Sequence, residues 1–184
     1  MPFWAWILIV VGIVVLAGVL VWSFSRQRTS KRLRESFGPE YERTVNMSGR
    51  RQAESELMDR EKRREQLDIR PLDPAQGQRY AEAWRDTQAR FVDSPEQAIR
   101  EGDHLVTEVM RERGYPMEDF DQRSADVSVD HPQVVENYRA AHSISLANEQ
   151  GKASTEDLRQ AMVHYRALFV ELLEQPEEDV RRTG

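Results

Sequence analysis

The longest apolar stretch of the chain runs from Phe3 to Phe24 and contains no charged side chain. An α-helix needs about 20 apolar residues to cross the roughly 30 Å hydrocarbon layer of a bilayer. The pattern therefore predicts a transmembrane helix within residues 1–25. The alternative is a cleaved signal peptide, which would leave an extracytoplasmic domain. Such peptides begin with basic residues and have an apolar core of about 7 to 15 residues, whereas this chain lacks the basic start and its apolar stretch is longer.

Aromatic and basic residues mark the two ends of the predicted span. No Lys or Arg precedes it and several follow at once, an asymmetry that places the C-terminal part of the chain in the cytoplasm. We therefore expect a single-pass protein of the inner (plasma) membrane, with its N-terminus outside and the lipid bilayer as a partner. The side chains expected at the membrane interface are Trp4, Trp6, Trp22, Arg26, Arg28, Lys31, Arg32 and Arg34.

A charged segment follows between Gly49 and Leu67. Acidic residues there stand four positions before basic ones, the order that stabilises a helix. Its apolar residues, too few for a broad core-facing stripe, are Ala53, Leu57, Met58 and Leu67. The pattern predicts a basic juxtamembrane segment and a solvated helical stalk over residues 26–72, with short coiled-coil pairing as the alternative for the stalk. Prolines near residue 73 end this helix.

Apolar positions recur at helical spacing from residue 73 to residue 174, and no segment there alternates in the manner of a strand. This region is predicted to be a small bundle of about four or five helices, followed by a flexible tail over residues 175–184. The fold class is therefore all-α. Tyr80, Trp84 and Phe91 share one helix face, which we interpret as core, with a partner-docking surface as the alternative.

The bounds of the helices in the bundle are predicted from residues that are typical of helix starts and helix ends. The predicted N-caps are Asp73, Ser94, Asp130 and Ser154. Gly114 is predicted to end a helix, and a short helix is predicted over residues 117–125. The strongest apolar stripe follows Ser154 and consists of Leu158, Ala161, Met162, Tyr165, Leu168, Phe169 and Leu172.

Charge and composition exclude several classes of partner. The whole chain has a net charge of −6, and beyond residue 34 it has 21 basic and 32 acidic residues. An acidic body of this kind does not wrap nucleic acid, and an anionic membrane surface would repel it. Because cysteine is absent, the chain has no disulfide framework, thiolate metal site or cysteine nucleophile.

No pattern in the sequence is typical of a catalytic, metal or cofactor site. The four histidines lack the spacing of helical zinc ligands. Asp119 and Asp121 resemble the start of a calcium loop, but the required glycine and final glutamate are replaced by Ser124 and Asp130. We therefore expect no cofactor, and no catalytic or metal-binding residue is assigned.

Five segments share a pattern with known proteins: RFVD at 90–93, VMRERGYP at 109–116, VSVDHP at 127–132, NYRAAH at 137–142 and LRQAMVHYR at 158–166. The chain resembles an uncharacterised family of small bacterial single-pass membrane proteins with a helical cytoplasmic domain. The resemblance covers nearly the whole chain. It implies a bacterial source and the same architecture, and it implies no activity and no functional residue.

These observations predict a membrane-tethered interaction or scaffold module that recruits a protein partner. The alternative is a membrane-anchored enzyme or metal binder that uses scattered histidine and acidic residues. It requires His142 and His164 to meet across neighbouring helices, close to Asp130 or Glu171.

Overall fold

The computed structural model describes residues 27–174, and all regular secondary structure in that range is α-helical, which confirms the predicted class. The helices are α1 (residues 27–37), α2 (Pro39–Ser48), α3 (Arg50–Arg64), α4 (Pro74–Arg90), α5 (Pro95–Arg113), α6 (Phe120–Asp130), α7 (Val135–Glu149) and α8 (Thr155–Leu173). The predicted span at residues 3–24 and the predicted tail at 175–184 lie outside the described residues. Within residues 27–174, no helix combines the length and the apolar character that a bilayer crossing requires.

The chain divides into two compact units, Met1–Leu57 and Met58–Gly184, called unit 1 and unit 2 below. The division falls within α3. Unit 2 therefore begins ahead of the prolines at which the sequence predicts the bundle to start.

In unit 1, the described residues form α1, α2 and the first half of α3. Glu54 of α3 is buried, and its Oε1 accepts hydrogen bonds from Ser30 Oγ at 2.5 Å, Tyr41 Oη at 3.0 Å and Arg50 Nε at 3.0 Å. Burial alone would raise the pKa of Glu54, but these hydrogen bonds lower it below its usual value. One carboxylate thus joins α1, the second helix and α3.

The prediction for the stalk was partly wrong. A helix does occupy residues 50–64, but Ala53, Glu54 and Leu57 are buried, so its first half is not a solvated spacer. The low number of apolar residues misled the prediction because a short, one-sided contact needs only a few of them. The charged residue Glu54 completes this contact because its hydrogen bonds satisfy the carboxylate.

In unit 2, α8 packs against both α5 and α7, α4 packs on α5, and α6 packs on α7. All seven residues of the predicted α8 stripe are buried. Trp84 is buried and stacks on Phe169 with ring centroids 4.6 Å apart, while Tyr80 and Phe91 are partly buried against the same core. The aromatic face of α4 therefore belongs to the core.

Several predicted helix ends are confirmed. Asp73 forms a capping box with Gln76, and Ser154 forms one with Asp157. Ser94 stands at the N-cap position of α5, although its side chain makes no capping hydrogen bond. Gly114 ends α5 in the left-handed region, with φ of 98°. These features are local in sequence, which is why the residue pattern is sufficient to predict them.

The predicted short helix before Asp130 is present as α6, but its predicted bounds and the predicted cap at Asp130 were wrong. The helix spans Phe120–Asp130 instead of 117–125, and Asp119 caps it by accepting from the backbone N–H of Gln122. Asp130 ends α6 and caps no helix; α7 begins at Val135 without a side-chain cap. The Asp130 carboxylate is instead bound by groups from distant parts of unit 2, as described below.

Candidate functional site

The histidines of unit 2 have different partners. His164 Nδ1 lies 2.9 Å from Asn137 Oδ1, His142 lies beside Asp103, and His131, not His142 or His164, meets Glu171. The meeting of His142 and His164 near Asp130 or Glu171, which the alternative hypothesis of an enzyme or metal binder requires, is therefore not found, because the two rings have different neighbours. Within the described range, no group of three or more histidine, aspartate or glutamate side chains could hold a metal ion.

A groove of about 500 Å³ opens on unit 2 between the start of α6 and one face of α7. Its lining residues are Asp119, Phe120, Asp121, Arg139, His142, Ser143 and Leu146. The lining residues from α7 are spaced by three or four positions and therefore share one face of that helix; they are Arg139, His142, Ser143 and Leu146. Leu146 is 45% exposed and adds apolar surface to this face. The groove thus combines apolar surface with charged and titratable groups.

Another hollow, of about 630 Å³, lies in unit 1 along residues 48–55. Although it is larger, its lining is one continuous stretch of chain at the junction of α2 and α3, and no part of the chain distant in sequence contributes to it. The groove between α6 and α7 is the better candidate because two elements build it and because it contains His142.

His142 is held on two sides. Its ring stacks on Phe120 with centroids 3.8 Å apart and planes 10° from parallel. Its Nδ1 atom is buried and lies 3.8 Å from Asp103 Oδ1, an electrostatic contact too long to be a hydrogen bond. The same carboxylate oxygen accepts from Tyr165 Oη at 2.6 Å. Asp103 therefore holds Tyr165 by a hydrogen bond and lies beside His142 without one.

The electrostatics of this cluster follow from its burial. Burial would raise the pKa of Asp103, but His142 and Tyr165 beside the carboxylate bring it below its usual value. Burial, followed by the charge of Asp103, strongly raises the pKa of Tyr165. Asp103 is therefore ionised and Tyr165 is a neutral donor at neutral pH. A proton on His142 Nδ1 would face a carboxylate, which leaves Nε2 as the other reactive nitrogen of the ring.

Contacts between α6 and α7 hold the lining of the groove. Phe120 also packs on Tyr138, with centroids 4.9 Å apart, and Arg123 Nε donates to Tyr138 Oη at 2.7 Å. At the rim, Arg139 forms an ion pair with Glu136 at 3.4 Å, and Asp119 is the N-cap of α6. Asp121 is exposed and adds a negative charge.

A row of arginines on the second half of α3 reaches α6 within unit 2. Arg60 Nη1 donates to Ser128 Oγ at 3.0 Å, Arg63 Nε donates to Asp126 Oδ1 at 2.9 Å, and Arg64 Nε donates to Asp130 Oδ2 at 2.6 Å. This interface was not predicted, because a charged helix with few apolar residues is typical of a solvated segment. The available signal was the run of polar residues on α6, where Ser124, Asp126 and Ser128 are buried.

Of the predicted membrane-interface residues, Arg28, Lys31, Arg32 and Arg34 lie on α1 and are exposed. Lys31 pairs with Glu35 at 3.7 Å and Arg34 with Glu42 at 2.9 Å. Predicted interface residues outside the described range are Trp4, Trp6, Trp22 and Arg26.

Comparison with known proteins matches the chain to no family model, no curated protein and no solved structure. The resemblance to the bacterial single-pass family therefore stays a prediction.

Proposed function

We propose that the protein is a membrane-tethered helical interaction module, and that unit 2 binds a protein partner in the groove between α6 and α7. The groove is the observation that carries the proposal. It is open to solvent, two helices shape it, and its lining presents a half-exposed leucine beside charged groups.

The tether rests on the apolar run from Phe3 to Phe24 and on the basic residues that follow it. The exposed cations of α1 support this arrangement, because cations next to an anionic leaflet each contribute about 1 kcal/mol of attraction. The excess of acidic over basic residues beyond residue 34 supports a body that stands off the leaflet.

The lining also indicates the chemistry of the partner. Phe120 and Leu146 offer apolar surface, whereas Arg139 is already paired with Glu136 and so adds little positive charge. Asp119 and Asp121 carry the remaining formal charges. The matching partner is a protein segment that places an apolar side chain on Leu146 and a basic side chain toward the aspartates, because complementary charge favours encounter and register.

Site-specific photo-crosslinking in native membranes tests the docking. The full-length chain carries benzoylphenylalanine at Leu146 or, as control, at the exposed Glu82 of α4. We expect a crosslinked adduct from the probe at position 146 and none from the probe at position 82. In the protein that carries the probe at position 146, Asp121→Lys should reduce the adduct yield severalfold, whereas Glu82→Lys should leave it unchanged. Equal adducts from both probe positions, or a yield that Asp121→Lys leaves unchanged, would contradict the proposal.

One observation favours a different enzymatic alternative, in which His142 acts without His164. His142 is stacked on Phe120, has a buried Nδ1 beside Asp103 and lines an open groove, so a general base could act from this position. If His142 has that role, His142→Gln should abolish hydrolysis of 4-nitrophenyl acetate above background. Exposed His104, which lies 3.6 Å from Glu108, provides the control His104→Gln. Equal rates in the two variants would exclude the role for His142.

A further inference from the structure

Several segments of unit 2 meet at a buried junction around His131. Arg113, at the end of α5, donates from Nη1 to the carbonyl oxygen of Leu172 in the last turn of α8, at 2.9 Å. The same Nη1 lies 3.3 Å from His131 Nε2, and His131 Nδ1 lies 3.3 Å from Glu171 Oε1. The side chain of His131 is only 8% exposed. The imidazole thus bridges a cation on α5 and a carboxylate on α8.

The contacts determine the protonation state of the ring. A guanidinium can only donate hydrogen bonds, so Nε2 of His131 must be the nitrogen that lacks a proton. Nδ1 then carries the single proton, and this N–H donates a hydrogen bond to Glu171 Oε1. His131 is therefore neutral in the closed junction, and its two nitrogens have opposite roles.

Arg113 makes a second proton on His131 unfavourable. This guanidinium is buried, and no carboxylate among residues 27–174 forms an ion pair with it. Its partners are the Leu172 carbonyl, the His131 ring and the face of Tyr115, whose centroid lies 5.9 Å away. A protonated His131 would place a second positive charge 3.3 Å from Nη1 and remove the acceptor that Nη1 faces.

The surrounding acidic groups act in the opposite direction. Glu171 of α8 favours the imidazolium, and so does Asp130 at the end of α6. The Asp130 carboxylate is already bound by Arg64 of α3 at 2.6 Å and by Tyr115 Oη at 2.7 Å. Burial, and next the charge of Arg113, outweigh both acids, so the pKa of His131 lies below its usual value.

We propose that Arg113, His131 and Glu171 form a pH-sensitive latch that fastens the last turn of α8 to the end of α5 and opens when His131 takes up a proton. The latch is independent of the groove and of any membrane tether.

The direction of the pH effect follows from the two states of His131. The open or unfolded state binds a proton near pH 6.5, the usual value for histidine, whereas the closed state does so only at lower pH. The closed latch is therefore fully stable above about pH 6.5. It weakens as the pH falls from there toward the pKa of His131 in the closed state. Within that window the closing equilibrium decreases by up to about tenfold for each pH unit.

Hydrogen exchange on the full-length chain in mild detergent tests the latch. Protection factors, corrected for the intrinsic effect of pH, are compared for the amides of residues 170–174 between pH 7.5 and pH 5.5. We expect the wild type to lose several-fold to about tenfold protection per pH unit below pH 6.5. His131→Gln should lose much less, because glutamine supplies one acceptor and one donor and does not titrate.

Two controls isolate His131. His104→Gln should behave like the wild type, and residues 158–162 at the other end of α8 should show no comparable pH effect. An equal loss of protection in the wild type and His131→Gln would overturn the proposal.

Imidazole NMR of the wild type decides the matter even if His131→Gln does not fold. We expect the Nδ1–H tautomer and a titration midpoint below 6.5 for His131. The Nε2–H tautomer, or a midpoint at or above that value, would overturn the latch.

Discussion

The contact of Arg63 with Asp126 provides the sharpest test of how α3 is held within unit 2. The Asp126 side chain is 1% exposed, and its Oδ1 accepts from Arg63 Nε and from Gln122 Nε2, each at 2.9 Å. Its Oδ2 is buried without a hydrogen-bond partner in the described part of the chain. Arg63→Met would therefore leave a buried carboxylate with one neutral donor.

The expected loss can be estimated from these contacts. Removing one partner of a fully buried ion pair costs about 3–5 kcal/mol, and a hydrogen bond to a charged group contributes about 1.5–3 kcal/mol. Arg63 is 36% exposed and also contacts Glu118, so solvent screens part of the interaction. We expect Arg63→Met to lower the free energy of unfolding of unit 2 by about 2 kcal/mol.

Urea denaturation of the full-length chain measures this loss. Trp84 stacks on Phe169 in the core and reports on unit 2 alone once Trp4, Trp6 and Trp22 are replaced by phenylalanine. A loss of about 2 kcal/mol lowers the urea midpoint by about 1 M for a typical slope.

Two further variants test the reason for the loss. The exposed neighbour Lys62→Met should change the stability by less than about 0.5 kcal/mol. Adding Asp126→Asn to Arg63→Met should restore most of the lost stability, because no buried charge then remains. A free energy of unfolding for Arg63→Met within about 0.5 kcal/mol of the wild-type value would refute the stabilising role of the contact between Arg63 and Asp126.

Three other predictions concern single residues. Gly114→Ala should destabilise unit 2 by more than about 1 kcal/mol in urea denaturation, because φ is 98° and a Cβ would lie 2.3 Å from the Asp68 carbonyl oxygen; Gly77→Ala, with open space around its Cβ, is the control. Ser154→Ala should cost about 1 kcal/mol and reduce exchange protection mainly in the first turn of α8, since it removes the cap; protection lost equally along the helix would contradict a capping role. Glu54 should titrate below the usual glutamate range in carboxyl-carbon NMR. Its contribution to the stability of unit 1 is then present above about pH 4.3 and decreases as the pH falls through its folded-state pKa. Ser30→Ala should raise the titration midpoint of Glu54, and an unchanged midpoint would contradict the proposed effect of the Ser30 hydrogen bond.

The parts of the fold that could be predicted from sequence are those with local causes. The α8 stripe and the caps at Asp73 and Ser154 depend on residues within a few positions of one another, and all are present. The same reasoning failed at Asp130, where a residue typical of an N-cap is bound instead by Arg64 and Tyr115. A distant partner that satisfies the side chain overrides the local preference.

The candidate sites depend on contacts between helices and were accessible only in part. His142 was a candidate from the sequence alone, yet its neighbours Asp103 and Phe120 come from α5 and α6, and no spacing in the chain relates the three. His131 was assigned no role, although its ring bridges α5 and α8. Only the packing of the bundle brings such residues together.

Single-cysteine labelling tests the proposed tether and its orientation most directly, because the chain contains no cysteine of its own. Pro2→Cys and Gln133→Cys are introduced separately into the full-length protein, and spheroplasts are treated with a membrane-impermeant maleimide. The account predicts that position 2 is labelled in intact spheroplasts and that the exposed position 133 is labelled only after lysis. Labelling of position 133 in intact spheroplasts, or release of the protein from membranes by alkaline carbonate, would contradict it.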